Sequence, residues 1–122
     1  MKMDSFRTRL LETNVVMASN KGCEFHDIAT AILVGFCAYK INKRSVWMPQ
    51  LIVHNGFRGQ GTGTLLLDHV IARGLNKGKL YIDTIVHEEA DLAWLKGHKF
   101  IASHLMPGYF DKRDGIQFRR ML

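Results

Sequence analysis

Apolar residues recur along the chain in two spacings. Between Asp4 and Ala18 they fall at Phe6, Leu10, Leu11, Val15 and Met17, which predicts an amphipathic helix capped by Asp4 or Ser5 and stopped by Asn20-Lys21-Gly22. From Glu24 the pattern becomes an apolar, partly β-branched run of Ile28, Ile32, Leu33, Val34, Phe36 and Tyr39, which predicts a strand ending at Lys40-Ile41. Asn42-Lys43-Arg44 is a turn, and Ser45 to His54 reads as a second strand, antiparallel to the first because so short a connection allows nothing else. A glycine-rich segment over Asn55 to Gly63 then leads into a helix from about Thr64, with Leu66, Leu67, Val70 and Ile71 on its buried side.

That helix should end near Gly74 to Gly78. Leu80 to Val86 follows as a strand expected to lie parallel to the one before the glycine loop, since the crossover passes through a helix. His87-Glu88-Glu89 is expected to open another helix reaching Lys96, with acids in its first turn and Leu92 and Leu95 on its buried edge. Phe100 to Met106 and Gly115 to Met121 read as two closing strands; in the second, Ile116 and Phe118 alternate with Gln117 and Arg119. No repeat or Pro/Ser-rich linker interrupts the 122 residues, so a single domain over residues 1–122 is expected, of mixed α/β (α+β) class.

Composition adds limits. With 47% hydrophobic and 23% charged residues the chain has the balance of an ordinary globular domain. The uncharged apolar stretch Ile28 to Tyr39 is shorter than the roughly 20 apolar residues a membrane helix needs, and the first residues lack a secretory pattern, so a soluble, cytoplasmic protein is expected. Cys23 and Cys37 form no CxxC pair, and Cys37 sits in an apolar run, which fits a buried thiol in a reducing compartment better than a bridge or a metal ligand. The net charge of +6 favours an anionic partner: a phosphorylated cofactor, nucleic acid or an acidic protein surface. For nucleic acid, Lys40 to Arg44 and the C-terminal arginines are the candidates, without the stacking aromatics or helix-turn-helix pattern that would support them.

The glycine loop carries the most specific chemistry. Lying after a strand and before a helix, it can bring backbone amides close to an anion, while the helix start adds unpaired N–H groups and a partial positive charge. Two familiar glycine motifs are excluded by identity. A Walker A loop beginning at Gly56 would need Lys where Thr62 stands, and a dinucleotide fingerprint beginning at Gly61 would need Gly where Leu66 stands.

The segment Arg58-Gly59-Gln60-Gly61-Thr62-Gly63 resembles the acetyl-CoA loop of the GNAT family of N-acetyltransferases, in which Arg or Gln is followed by two residues, Gly, one residue, and Gly or Ala. Its surroundings strengthen the resemblance: Leu51-Ile52-Val53 before the loop, the aromatic Phe57 before Arg58, Leu65-Leu66-Leu67 after it, Val34-Gly35-Phe36 in the preceding strand, and Trp94-Leu95 followed by Phe100 later. The likeness covers roughly residues 31 to 122. It implies a mostly antiparallel central sheet whose one parallel strand pair splays apart, and acetyl-CoA as acetyl donor. The amides of residues 59 to 64 (Gly59, Gln60, Gly61, Thr62, Gly63, Thr64), with Arg58, would hold the pyrophosphate. The main chain of Leu51, Ile52 and Val53 would pair with the pantetheine arm.

The resemblance also implies direct attack of a deprotonated primary amine on the thioester, with an oxyanion donor near Ile52 or Val53. Catalytic residues are not legible. The family's late-helix tyrosine falls at Leu95 and its frequent glycine before the aromatic at Lys99; the stretch Val46 to Gln50 lacks the glutamate that some members carry. Tyr109, Asp83 and Glu88 remain as candidates, with Tyr81, His87 and Glu89 beside them; each has a structural reading as well, Glu88 and Glu89 as helix-start acids and the tyrosines as core aromatics. His54 reads as an exposed loop residue. The family's first strand and two helices have fewer than 25 residues available here, a shortened start that implies an open acceptor cleft or one completed by a second subunit in a homodimer. The acceptor class is an amine on a protein, a small molecule or an aminoacylated RNA. A CoA-binding module without turnover is the alternative that the missing tyrosine and glutamate suggest.

Overall fold

The computed structural model describes residues 14–19, 33–59 and 61–122. Six strands form one sheet: β1 (Asn14–Ser19), β2 (Leu33–Ile41), β3 (Ser45–Val53), β4 (Tyr81–His87), β5 (Ile101–Met106) and β6 (Gly115–Met121), in the order β1-β2-β3-β4-β6-β5. Two α-helices are described, α1 (Thr62–Asn76) and α2 (Leu92–Gly97). Every strand pairing is antiparallel except β3 with β4, which the crossover through α1 makes parallel.

The expected first helix is corrected over its last part. Residues 4–13, with the proposed caps and Phe6, Leu10 and Leu11, lie outside the described residues, but Asn14–Ser19 is a strand paired with β2. Its periodicity is two: Val16 and Ala18 are buried while Val15 is exposed. Adjacent β-branched residues at Val15-Val16 and a waiting partner strand prevail over the helical spacing of a few apolar positions.

The hairpin of β2 and β3 turns where the sequence placed it, with the Asn42 N–H donating to the Ser45 carbonyl oxygen at 2.9 Å. A β-bulge interrupts it: Ala38 faces Gln50 but Lys40 faces Trp47, so β3 carries one residue more than β2. Pro49, which has no N–H to donate, sits in that stretch, where the ladder least needs one. The bulge shifts the phase of β3. Val46 and Met48 are buried before it, whereas Leu51 and Val53 pack against the core after it.

Leu66, Leu67 and Val70 of α1 are fully buried against the sheet, with Gly74 one turn further. A Cβ on Gly74 would stand 2.8 Å from Leu122 Cδ1 and 3.2 Å from Val46 Cγ2, so the helix rests directly on the sheet there. Gly78, at φ +69°, lets the chain leave the helix for β4. Leu95, Phe100, Phe118 and Ile82 complete the core from the α2 side.

The second expected helix starts later than its acids suggested. Glu88 and Glu89 lie in the turn after β4, and Asp91 is the true cap, its Oδ1 accepting from the Trp94 N–H at 3.0 Å. A short polar side chain that reaches back to the amide three residues on is a better start signal than charge alone.

Candidate active site

β3 and β4 pair over only three positions, Ser45 with Tyr81, Val46 with Ile82 and Trp47 with Asp83. Beyond them β3 continues to Val53 and β4 to His87 with no pairing between the two. The gap opens at the carboxyl ends of both strands, where a parallel α/β arrangement offers its crevice. Leu51 and Val53 are half-buried along it and Ile52 is 45% exposed, an apolar wall with which β4 does not pair.

The glycine loop stands at the same end. Gly59 and Gly61 adopt φ +78° and +81°, and a Cβ on either would meet nothing within 4 Å, so these glycines serve backbone shape and leave open space. Gly61 is the N-cap of α1 and provides no side chain, and the first turn contains no acid. The first helical bond joins the Leu65 N–H to the Gly61 carbonyl oxygen at 3.0 Å, leaving the amides of Thr62, Gly63 and Thr64 outside the ladder. An uncapped start with positive φ before it is a set of donors and a partial positive charge directed outward.

Arg58 secures the loop, its Nε donating to the Val53 carbonyl oxygen at 3.3 Å and holding the loop against the end of β3. His54 is exposed, as expected, and its Nδ1 accepts from the Gly56 N–H at 3.2 Å. Gln60 and the side chain of Phe57 lie outside the described residues.

α2 forms a wall that sequence reasoning missed. A Cβ on Gly63 would stand 3.2 Å from Trp94 Cζ2 and 3.7 Å from Leu51 Cδ2, so the start of α1 is wedged between α2 and β3. The rings of Trp94 and His98 stack at 4.1 Å with an interplanar angle of 25°. Their spacing of four predicts one helical face. The partner of His98, Thr64 Oγ1 at 2.9 Å, is 34 residues earlier, and no local pattern announces it. Leu95, at the place of the family tyrosine, is buried in the core, and Lys99, at the place of its glycine, has φ +67°. The backbone thus makes a glycine-like turn at a lysine.

Of the catalytic candidates, Asp83 is engaged elsewhere: Arg119 Nε and Nη2 donate to its two carboxylate oxygens at 2.8 and 3.0 Å. The guanidinium also lies 3.8 Å above the Tyr81 ring, and its pKa is raised chiefly by the hydrogen bond to Asp83. Glu88 is exposed in the turn after β4, and Glu89 pairs with Arg113 at 3.0 Å. His87 Nδ1 accepts from the Glu89 N–H, placing the proton of the neutral ring on Nε2. Tyr109 is 47% exposed on the β5–β6 loop, set edge-on to Phe110, which in turn meets the His87 ring. The loop and the end of β4 therefore form one surface beside the gap, and Tyr109 and Glu88 belong to it while Asp83 does not.

The C-terminal arginines are committed inside the fold, Arg119 to Asp83 and Arg120 Nη1 to the His98 carbonyl oxygen at 2.8 Å. Lys79 Nζ donates to the Lys43 carbonyl oxygen. The two C-terminal arginines considered for nucleic acid thus have structural partners. Among the described residues there is no cluster of three or more metal-ligating side chains, and no helix is long and apolar enough to cross a membrane.

A splayed parallel pair, a glycine loop at its open end and an uncapped helix start define the class: an α/β domain with a crevice at the carboxyl ends of its parallel strands. The chain belongs to the acetyltransferase (GNAT) family, whose model matches residues 8–100. No curated protein matches the sequence. Among solved structures, a GNAT family acetyltransferase from Elizabethkingia anophelis with acetyl-CoA bound is similar at TM-score 0.78 and 14% identity, over 99% of this chain and 84% of that one. The NatC complex bound to Gag peptide and CoA contains a chain similar at TM-score 0.76 and 19% identity, over 100% of this chain and 80% of that one. The ribosomal-protein-S18-alanine N-acetyltransferase from Escherichia coli is similar at TM-score 0.75 and 14% identity, over 99% and 77%. At such identities the likeness establishes the fold, and the expected sheet with its one splayed parallel pair is the one observed.

Proposed function

We propose that this chain is an acetyl-CoA-dependent N-acetyltransferase that acts on a primary amine. The observation that carries the reading is the coincidence, at one end of the sheet, of the β3–β4 gap and the uncapped start of α1. The open space around Gly59 and Gly61 and the free first-turn amides fit a diphosphate, and the unpaired edge from Leu51 to Val53 fits an amide-bearing arm. Acetyl-CoA supplies a thioester whose carbonyl an amine can attack.

The residues have separate tasks in this reading. Gly59, Gln60, Gly61, Thr62, Gly63 and Thr64 bind the diphosphate through main-chain amides, and Arg58 keeps their loop against β3. Leu51, Ile52 and Val53 align the arm, and the Val53 N–H, which the β2–β3 register turns toward the gap, faces the developing oxyanion. The amine enters beside His87, Glu88, Tyr109 and Phe110, where the β4 end and the β5–β6 loop meet. Tyr109, Glu88 and His87 are the groups there able to move a proton. Neighbours of the same fold include enzymes named for acetylating a ribosomal-protein alanine and a complex holding a peptide, which favours a peptide or protein amine as acceptor. Cys37, a free buried thiol, accords with a cytoplasmic setting.

Thermal unfolding with and without acetyl-CoA tests the donor. A ligand at 100 times its dissociation constant adds about 2.7 kcal/mol to stability. The melting temperature should rise with acetyl-CoA and not with ATP or NAD; no shift at millimolar acetyl-CoA overturns the reading. Turnover on a panel of peptide and small-molecule amines then tests the reaction. A second reading, a CoA-binding module without turnover, is favoured by Leu95 in the core and by the engagement of Asp83 with Arg119. Tight binding of CoA with no acetylation of any amine would establish it.

A further inference from the structure

The two ring nitrogens of His98 have partners of different kinds. Nδ1 lies 2.9 Å from the Trp94 carbonyl oxygen, which can only accept, so Nδ1 carries a hydrogen whether the ring is neutral or charged. Nε2 lies 2.9 Å from Thr64 Oγ1. In the neutral ring Nε2 offers only a lone pair, and the Thr64 hydroxyl must donate its single hydrogen to it. The stack on Trp94 fixes the plane of the imidazole, so this direction of donation is built into the fold.

Protonation reverses it. Nε2–H then donates to Thr64 Oγ1, the hydroxyl hydrogen is released toward another acceptor, and a unit positive charge appears beside the first turn of α1. Without a ligand that charge is opposed by the helix N-terminus; beside a bound anion it is favoured. We infer that His98 is a positioning residue for the donor: it takes one proton from solvent as a diphosphate settles on the first turn of α1, and through Thr64 it turns one more hydrogen toward that diphosphate.

The inference rests on the donor reading above. Among the described residues, the charged groups next to His98 by bonding or by position are Arg120 on β6, which bonds the His98 carbonyl oxygen, Lys96 and Lys99 beside it in the chain, and Asp68 one turn along α1 from Thr64. Lysine, arginine and aspartate keep their charge between about pH 5 and 8, where imidazoles change theirs. Among the described residues, His54 is an imidazole in the loop before α1 that bonds a loop amide, and it serves as the control.

Bound-state protonation means that affinity is highest below the titration of the ring and is lost as pH rises through it. Calorimetric titration with dephospho-CoA tests this, because that ligand keeps the diphosphate and lacks the 3′-phosphate, whose own second ionisation near pH 6 would interfere. Between about pH 5 and 8, in two buffers of different ionisation heat, the wild-type protein should take up a proton on binding. Its Kd should rise with pH by up to about tenfold per unit, the limit for one linked proton. His98→Gln should bind with a flat profile and no uptake, and His54→Gln should keep the wild-type slope. A pH-independent wild-type Kd without proton uptake, or a slope that survives in His98→Gln, overturns the inference and leaves the donor reading standing. No binding at any pH overturns both.

Discussion

Arg119 grips Asp83 through two hydrogen bonds, of 2.8 and 3.0 Å, at the last register where β3 and β4 still touch. A carboxylate so held makes a strut and not a proton acceptor. Asp83→Asn should therefore leave turnover within a few-fold of wild type while lowering stability by about 1 kcal/mol or somewhat more, as loss of a charged hydrogen-bond partner at a half-buried site does. Urea unfolding and steady-state rates check both halves; a hundredfold loss of rate at undiminished stability would make Asp83 the base after all.

Gly35 faces Val53 across the β2–β3 ladder, and a Cβ there would stand 2.7 Å from the Ile52 carbonyl oxygen. The obstacle is backbone and cannot rotate away. Gly35→Ala should destabilise by about 1–3 kcal/mol, the usual range for overpacking, and should weaken acetyl-CoA binding because the displaced strand is the wall of the gap. Denaturant midpoints and a binding isotherm on the folded fraction measure the two effects.

Gly61 has space for a side chain but the wrong backbone for one, with φ +81°. Gly61→Ala should cost about 1–2 kcal/mol or shift the loop out of shape, whereas Gly61→Asn should cost less because asparagine tolerates the left-handed region. The order glycine, asparagine, alanine is expected both in melting temperature and in affinity for acetyl-CoA. Equal affinity across the three would remove the loop from the donor site.

Burial pushes the Cys37 thiol from 9.0 up to about 12. The folded state keeps its proton where the unfolded state loses it, so this contribution to stability is complete below about pH 9 and declines from there toward pH 12. In a Cys23→Ser background the thiol should resist alkylation at pH 8 until the protein unfolds. Rapid labelling of the native protein would mean that the β2 core opens locally.

The fold was legible where one physical signal dominated. Leu66, Leu67 and Val70 marked the buried face of α1 because helical spacing and burial agree there, and Gly59 and Gly61 marked the loop because positive φ leaves few alternatives to glycine. Sequence reasoning failed where two signals competed. Val15, Val16 and Met17 fit either period, and only the presence of β2 decides for strand. Glu88 and Glu89 suggested a helix start on charge, yet Asp91 makes the bond that starts it.

The site was half legible for the same reason. The glycine loop is one continuous segment, Arg58 to Thr64, so local chemistry was enough to read its shape. The wall formed by Trp94 and His98 and the bracing of Asp83 by Arg119 join residues 34 and 36 positions apart, and nothing in either segment names the other. Lys99 shows the opposite case: the backbone retains φ +67° without the glycine that would have advertised it.

The three residue pairs between β3 and β4 are also a mechanical fact. They bind the sheet like the short spine of a book, with β1, β2 and β3 on one leaf, β4, β6 and β5 on the other, and α1 packed mainly on the first leaf. Each leaf is tied along its length by antiparallel ladders, so bending is cheapest at Ser45–Trp47 and Tyr81–Asp83. A molecule laid between the open pages would supply the missing rungs, and what it gained in contacts the sheet would gain in rigidity. Amides of residues 50–53 and 84–87 facing the gap should exchange with deuterium readily in the free protein and slow together when acetyl-CoA is added, which makes the donor a temporary seventh strand.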